Sequence, residues 1–342
     1  MAVNRYVRVN GQWVPVGTVV APPFAPVPPP PGGTITHGEQ IPAWSKQALS
    51  VVGPRLSAGG LSEWSGSTTL SGTQVIEGRS FTNKTLTIAA GARITLRNCR
   101  IIGPPTQTAY LIRVTGGGGV WLTVEDCELV ARAGSTSVRC IVMWGDGNVE
   151  VRRSVLRGGI DNIYVNPDHT PGRIPTGDPL VPMARLLVED CWLGDIERMP
   201  GTHTDCIQID GGGYTVIRRS RIMCFNIPWG ADTLTSHADG SEAGSGGIIA
   251  TQNSNNPSQI SHVAVRDCWC DGGNWVVDLT PADGLPVHTV AVTGCRFGLN
   301  HTFGALLVPA GEVNRDNRWG ASGVTVQAGA VAAGQLVPGS TA

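Results

Sequence analysis

The chain has 342 residues, 46 of them glycine, and its charged residues make up only 15%, which suits one long, compact rod with many tight corners. A formal net charge of −1 gives no electrostatic case for nucleic acid or for anionic membranes as partners. No run of 18 apolar residues offers a membrane span, and the amino end has no apolar core of the kind that opens a secretory signal.

In chain order, residues 6–16 (YVRVNGQWVPV) are two alternating runs around Asn10-Gly11, a strong hairpin signal, and residues 1–20 are expected to form a docking hairpin. A disordered tail with accidental alternation is the competing reading. Residues 21–33 follow as a stiff polyproline spacer, since seven of the ten residues from Pro22 to Pro31 are proline. Residues 34–75 form an irregular lead-in whose Trp44 and Trp64 are expected to cap the first coil.

From there one phrase returns eight times. It reads ITLRNCRI (94–101), LTVEDCEL (122–129), VEVRRSVL (149–156), LLVEDCWL (186–193), TVIRRSRI (215–222), VAVRDCWC (263–270), VAVTGCRF (290–297) and the decayed EVNRDNRW (312–319). Its sixth residue is Cys99, Cys127, Ser154, Cys191, Ser220, Cys268, Cys295 and Asn317 in turn, at steps of 28, 27, 37, 29, 48, 27 and 22 residues. A unit near 27 residues with loop insertions signals a solenoid. Period-two alternation with β-branched residues makes its elements strands rather than helices. A second strand precedes each landmark (LIRV 111–114, CIVM 140–143, NIYV 162–165, CIQI 206–209, GIIA 247–250, VVDL 276–279, ALLV 305–308), and a third, short one follows it. The expected fold is all-β: a single-stranded parallel β-helix of eight to nine coils over residues 76–325, with 326–342 as a cap or tail. The landmark residues should point inward at a corner and stack from coil to coil. A right hand follows from the general crossover preference.

Five of the nine cysteines occupy the landmark position, where Cys acts as a small hydrophobe. Parallel strands set such thiols side by side rather than aimed at each other, so reduced structural thiols are expected; Cys140, Cys206, Cys224 and Cys270 stay unassigned. No paired CxxC or Cys/His spacing supports a zinc site, and no metal ligands are assigned.

The NGQWVPVG hairpin, the proline spacer and the Cys-laddered coils together resemble minor tail proteins of phages that infect actinobacteria. The coil region is similar to the pectate-lyase-like β-helix superfamily, which includes tailspikes and polysaccharide-cleaving enzymes. The resemblance implies a virion tail component that is released by host lysis and so needs no signal peptide. It also implies attachment to other tail proteins through the amino-terminal hairpin, a homotrimeric state, and binding or cleavage of a host cell-envelope polysaccharide. It implies no nucleic-acid partner and no membrane insertion, and it does not imply that catalysis is retained. A free extracellular polysaccharide hydrolase or lyase and a purely structural tail spacer are the alternatives.

Extra residues cluster at 166–183, 197–204, 226–246 and 251–261, where they should wall a groove. Aligning DNIYVNPDH (161–169) with HTDCIQIDGG (203–212) sets Asp161 beside Asp205, Tyr164 beside Gln208 and Asn166 beside Asp210. Carboxylates one coil apart, about 5 Å, suit a retaining glycosidase. Asp205, Asp161, His203 and Asp210 are the catalytic candidates; Tyr164, Gln208, Trp144, Trp229 and Trp275 are the glycan-binding candidates. Each has a bland reading too: aspartates bonding turn amides or a structural cation, and His203 as an exposed loop residue. Catalysis, binding without catalysis and a structural role all stay open. A hydrolase is favoured over a lyase, because lysine is almost absent beyond Lys84 and only Arg198 stands near as a base. No cofactor is expected, although Ca²⁺, structural or bridging a substrate, is compatible with the acidic residues. The acidic loop 231–244 (Asp232, His237, Asp239, Glu242) lacks EF-hand spacing. Trp192, Trp269 and Trp319 are expected to face outward, towards sugar rings or a neighbouring subunit.

Overall fold

The computed structural model describes residues 60–106, 110–117, 119–132, 138–166, 185–196, 203–224, 245–250, 260–280, 287–298, 304–309, 312–319 and 326, together with two strands near the amino end. Those two strands, Ala2–Val9 and Gln12–Val20, pair antiparallel with Val9 opposite Gln12. The proline spacer, Trp44, Arg198, Trp229, loop 231–244 and the tail 330–342 lie outside the described residues.

The rest is a right-handed parallel β-helix. Two sheets have nine strands each and the third has ten, all parallel, each strand pairing with its counterpart one coil away. Among the described residues there is no helix, and so none long and apolar enough to cross a membrane. The repeated phrase supplies one sheet (Thr73–Glu77 through Val313–Arg315), the residues after the landmark a second (Ser62–Glu63 through Arg318–Trp319), and the preceding strands the third (Thr69–Leu70 through Gly304–Leu307). The lumen holds one continuous core of Ile, Val, Leu and Cys. Each Ile, Val or Leu side chain taken from water contributes about 1.5–3 kcal/mol. One more coil than the phrase reveals lies at the amino end. There Thr73–Glu77 pairs with Arg93–Arg97, and Arg79 stands where later coils carry a small landmark residue. Trp64 packs on Phe81 at this end, ring centroids 5.5 Å apart. At the other end Val326, 5% exposed, joins the core and donates its amide to the Asn317 carbonyl.

The landmark column is a hydrogen-bonded ladder. The Cys99 amide donates to Cys127 Sγ (3.3 Å), Cys127 to Ser154 Oγ (3.0 Å), Cys191 to Ser220 Oγ (3.1 Å) and Cys295 to Asn317 Oδ1 (2.9 Å). All nine cysteines are free and buried. Burial pushes the Cys140 and Cys191 thiols up to about 12. The residue before each landmark turns the corner in a left-handed conformation. These are Asn98, Asp126, Arg153, Asp190, Arg219, Asp267, Gly294 and Asp316, with φ between 43° and 68°. Asn and Asp tolerate that region; Arg does not ordinarily enter it.

The two arginines there are held by charge. Arg153 Nε donates to Asp126 (2.9 Å) and its other nitrogen reaches Glu125; Arg219 repeats this with Asp190 (2.8 Å) and Glu189. One residue earlier, the register runs Glu77, Arg97, Glu125, Arg152, Glu189, Arg218. Over the four coils that carry Glu125-Asp126, Arg152-Arg153, Glu189-Asp190 and Arg218-Arg219, acidic pairs therefore alternate with Arg-Arg. Although burial raises it, Glu189 is held below the usual carboxylate range by Arg218, Arg219 and Arg152.

The three tryptophans expected outside behave otherwise. Trp192 and Trp269 do leave the core stripe, as alternation demands, but both are 1% exposed. They sit either side of Arg221 in successive coils, three bulky side chains covering one another. Trp319 points inward, in register with Phe297, because Arg318 and not Trp319 follows the landmark Asn317.

Candidate functional site

The third sheet carries Trp144, Asp161, Tyr164, Asp205, Gln208 and Trp275 of the candidate residues. Its strands Tyr110–Thr115, Arg139–Trp144, Asp161–Asn166, Asp205–Ile209, Gly246–Ala250, Trp275–Asp278 and Gly304–Leu307 lie side by side. The isoleucines Ile112, Ile141, Ile163, Ile207 and Ile248 share one core row. That row fixes the register of everything beside it, because a one-residue slip would turn them out of the core. One outer row then reads Tyr110, Arg139, Asp161, Asp205, Gly246, Trp275, Gly304, and another reads Thr87, Arg113, Val142, Tyr164, Gln208, Ile249, Asp278. The pairings Asp161 with Asp205 and Tyr164 with Gln208 are those the sequence predicts.

Asp161 and Asp205 stand one coil apart and are 0% and 1% exposed. Asp161 Oδ2 accepts from Arg139 Nε at 2.6 Å, and its Oδ1 accepts from the Asp205 amide at 3.1 Å. Burial lifts its carboxyl to about 6, outweighing the attraction of Arg139. Asp205 has no such arginine. The Gly246 amide hydrogen-bonds its carboxyl, but Oδ1 is buried without a partner among the described residues. Burial first, and then the charge of Asp161, pushes Asp205 well above the ordinary carboxylate range.

Asp210, 4% exposed, gathers a second group. Tyr164 donates its hydroxyl to Oδ2 at 2.5 Å, Gln208 Nε2 donates to Oδ1 at 3.0 Å, and Asn166 Nδ2 donates to the Tyr164 hydroxyl at 3.0 Å. Burial and the Asp210 charge hold the Tyr164 hydroxyl protonated, far above its usual range. The Arg139 guanidinium lies over the Tyr164 ring at 4.4 Å. Arg139 therefore joins the two carboxylate groups, bonded to one and stacked beside the other.

Towards the amino end, Trp144 meets Tyr110 edge to face at 5.7 Å, with the Arg113 guanidinium 4.2 Å above the indole. Towards the carboxyl end, Trp275 lies flat across Gly304: a Cβ there would come within 2.3 Å of the ring. His203 is exposed, and among the described residues nothing bonds it to Asp205. Trp229 lies outside the described residues. Among the described residues no group of three or more His, Cys, Asp or Glu is placed to hold a metal ion.

Sequence reasoning missed Arg113, Arg139 and Tyr110. LIRV and CIVM read as core strands, and the outward residues at and beside their ends draw notice only once the register lines them up with Asp161 and Tyr164. Polar residues at the outer positions of an otherwise apolar strand were the available signal. The face as a whole offers half-exposed aromatic rings and planar hydrogen-bonding groups beside buried carboxyls. Comparison with protein-family models, with curated proteins and with solved structures found no match.

Proposed function

We propose that this chain is a phage tail-associated β-helix protein that attaches through its amino-terminal hairpin and binds a host cell-surface glycan along the outer face of the third sheet. The observation that carries the binding half is the set of partly exposed Trp144, Tyr164, Gln208 and Trp275, spread over adjacent rows of one rigid face. Tyrosine and tryptophan there are half-buried and fixed by neighbours, so little side-chain freedom is lost when a sugar stacks on them. The attachment half rests on the hairpin at residues 2–20, followed by a proline-rich spacer. In this reading the rod works as a homotrimer in the virion tail, without nucleic acid or membrane insertion. Deleting residues 1–33 should abolish incorporation into particles and leave glycan binding by the purified protein intact. Tyr164→Ala and Trp275→Ala should each weaken binding to envelope glycans about tenfold. Wild-type affinity in both variants would sink the binding face.

A second reading, a glycoside hydrolase, is favoured by one observation: Asp161 and Asp205 are in register on neighbouring strands, a spacing of about 5 Å, with both carboxyls shifted upward. Their burial sets binding ahead of it. The discriminating measurement is reducing-end release from actinobacterial wall glycans by wild type and by Asp205→Asn. Release by the wild type that the variant loses would promote the second reading.

A further inference from the structure

Among the described residues, Arg113 is the arginine of this face that has no carboxylate partner. In the coils around it, Arg97, Arg100, Arg139, Arg153 and Arg157 each meet a carboxylate within 3.0 Å. Arg113 meets none among the described residues; its register mates are Thr87 and Val142, and its Nε is buried without a partner. Two rings hold it instead, Trp144 at 4.2 Å and Tyr110 at 5.8 Å. A stacked guanidinium keeps its full charge, and its fork of N–H donors matches a carboxylate or phosphate bidentately. The stacking has already removed most of its rotamer freedom, so little more is lost when an anion arrives. Rings beside a positive charge suit a ligand that is apolar on one side and anionic on the other.

Resting on the reading that this face binds glycan, we infer that Arg113, Trp144 and Tyr110 form a subsite for an acidic sugar. Its carboxylate or phosphate pairs with Arg113, and its ring packs against the aromatic side chains. Tyr164 stands two coils further along the same row, roughly 10 Å away. The acidic unit thus occupies one end of the bound chain, and the Asp210 group, which repels anions, faces neutral units. The site specifies polarity as well as composition.

The experiment is calorimetric titration of the full chain with three matched oligosaccharides: neutral, carboxylate-bearing and phosphate-bearing. The expected result is tighter binding of at least one acidic ligand, weakening as salt rises. Arg113→Gln should cost that ligand about ten- to hundredfold and the neutral one much less. Arg113→Lys, which keeps charge but not the stacked fork, should fall between. The preferred acidic ligand tells carboxylate from phosphate. Equal affinity for neutral and acidic ligands, or an unchanged acidic preference in Arg113→Gln, overturns the inference and leaves the glycan-binding face standing. Failure to bind any of the three overturns both. Melting curves of the variants that match the wild type exclude unfolding; if Arg113→Gln melts early, Arg113→Lys and the salt dependence decide instead.

Discussion

At the scale of single residues, the two kinds of buried polar group make opposite demands. The landmark side chains are acceptors for amides that have no other use. Ser154→Ala would leave the Cys127 amide bare in the wall of the lumen and should cost about 1–3 kcal/mol by thermal or denaturant melting. Cys127→Ser should cost less, because Ser154 and Ser220 show that a hydroxyl fits this column. Asp205 is the reverse case, an acceptor with one oxygen unused. Its folded-state carboxyl holds a proton that the unfolded chain gives up above about pH 4. Its contribution to stability is therefore complete below about pH 4 and falls as pH rises. Asparagine needs no proton to be neutral, so Asp205→Asn should melt close to wild type at pH 4 and above it at pH 8, by about 1 kcal/mol or more. A difference that is flat or shrinks with pH would mean that the carboxylate is ionised and paired in the fold.

At the scale of strands and corners, charge does what side-chain shape cannot. The core rows are nearly uniform in Ile and Val, so they resist a slip of one residue but tolerate a neighbour from the wrong coil. The corner pairs tell coils apart. Single exposed ion pairs contribute only about 0.2–1 kcal/mol, but Arg219 also occupies a left-handed position that its partners must hold. Arg219→Glu should therefore cost about 2 kcal/mol, losing the pair and facing Glu189 and Asp190 with a like charge. Asp190→Arg in the same chain should recover part of that, and additive melting losses in the double variant would exclude the coupling. Much of this level was legible beforehand. The landmark, the three strands per coil and the Asp161–Asp205 register follow from alternation and from two similar strand sequences. The first coil was not, because Arg79 hides its landmark. Nor was the burial of Trp192 and Trp269: alternation tells which way a side chain points, not whether its neighbours cover it. The corner conformation was written in the Asn and Asp before each landmark, but Arg153 and Arg219 disguised it.

For the whole molecule, the ends decide whether the rod stays a single body. Every interior strand has partners on both sides; the last, Arg318–Trp319, has one. An open edge of a parallel sheet is a template for further pairing. Val326 sits in the core at this end, so Val326→Asp should lower the melting point and yield concentration-dependent oligomers by light scattering. A monodisperse variant with an unchanged melting point would show that this residue does not close the end.

The alternating corners also impose an arithmetic on length. Removing residues 127–190 would join Asp126 to Cys191 and set Glu125 and Asp126 against Arg218 and Arg219, opposite charges still facing each other. Removing residues 127–153 would join Asp126 to Ser154 and set them against Glu189 and Asp190. This stretch of the rod can thus be shortened or extended by pairs of coils without rewriting a charge, but not by one. Its coils behave as even-numbered currency for any recombination event, natural or engineered, that changes how far the protein reaches.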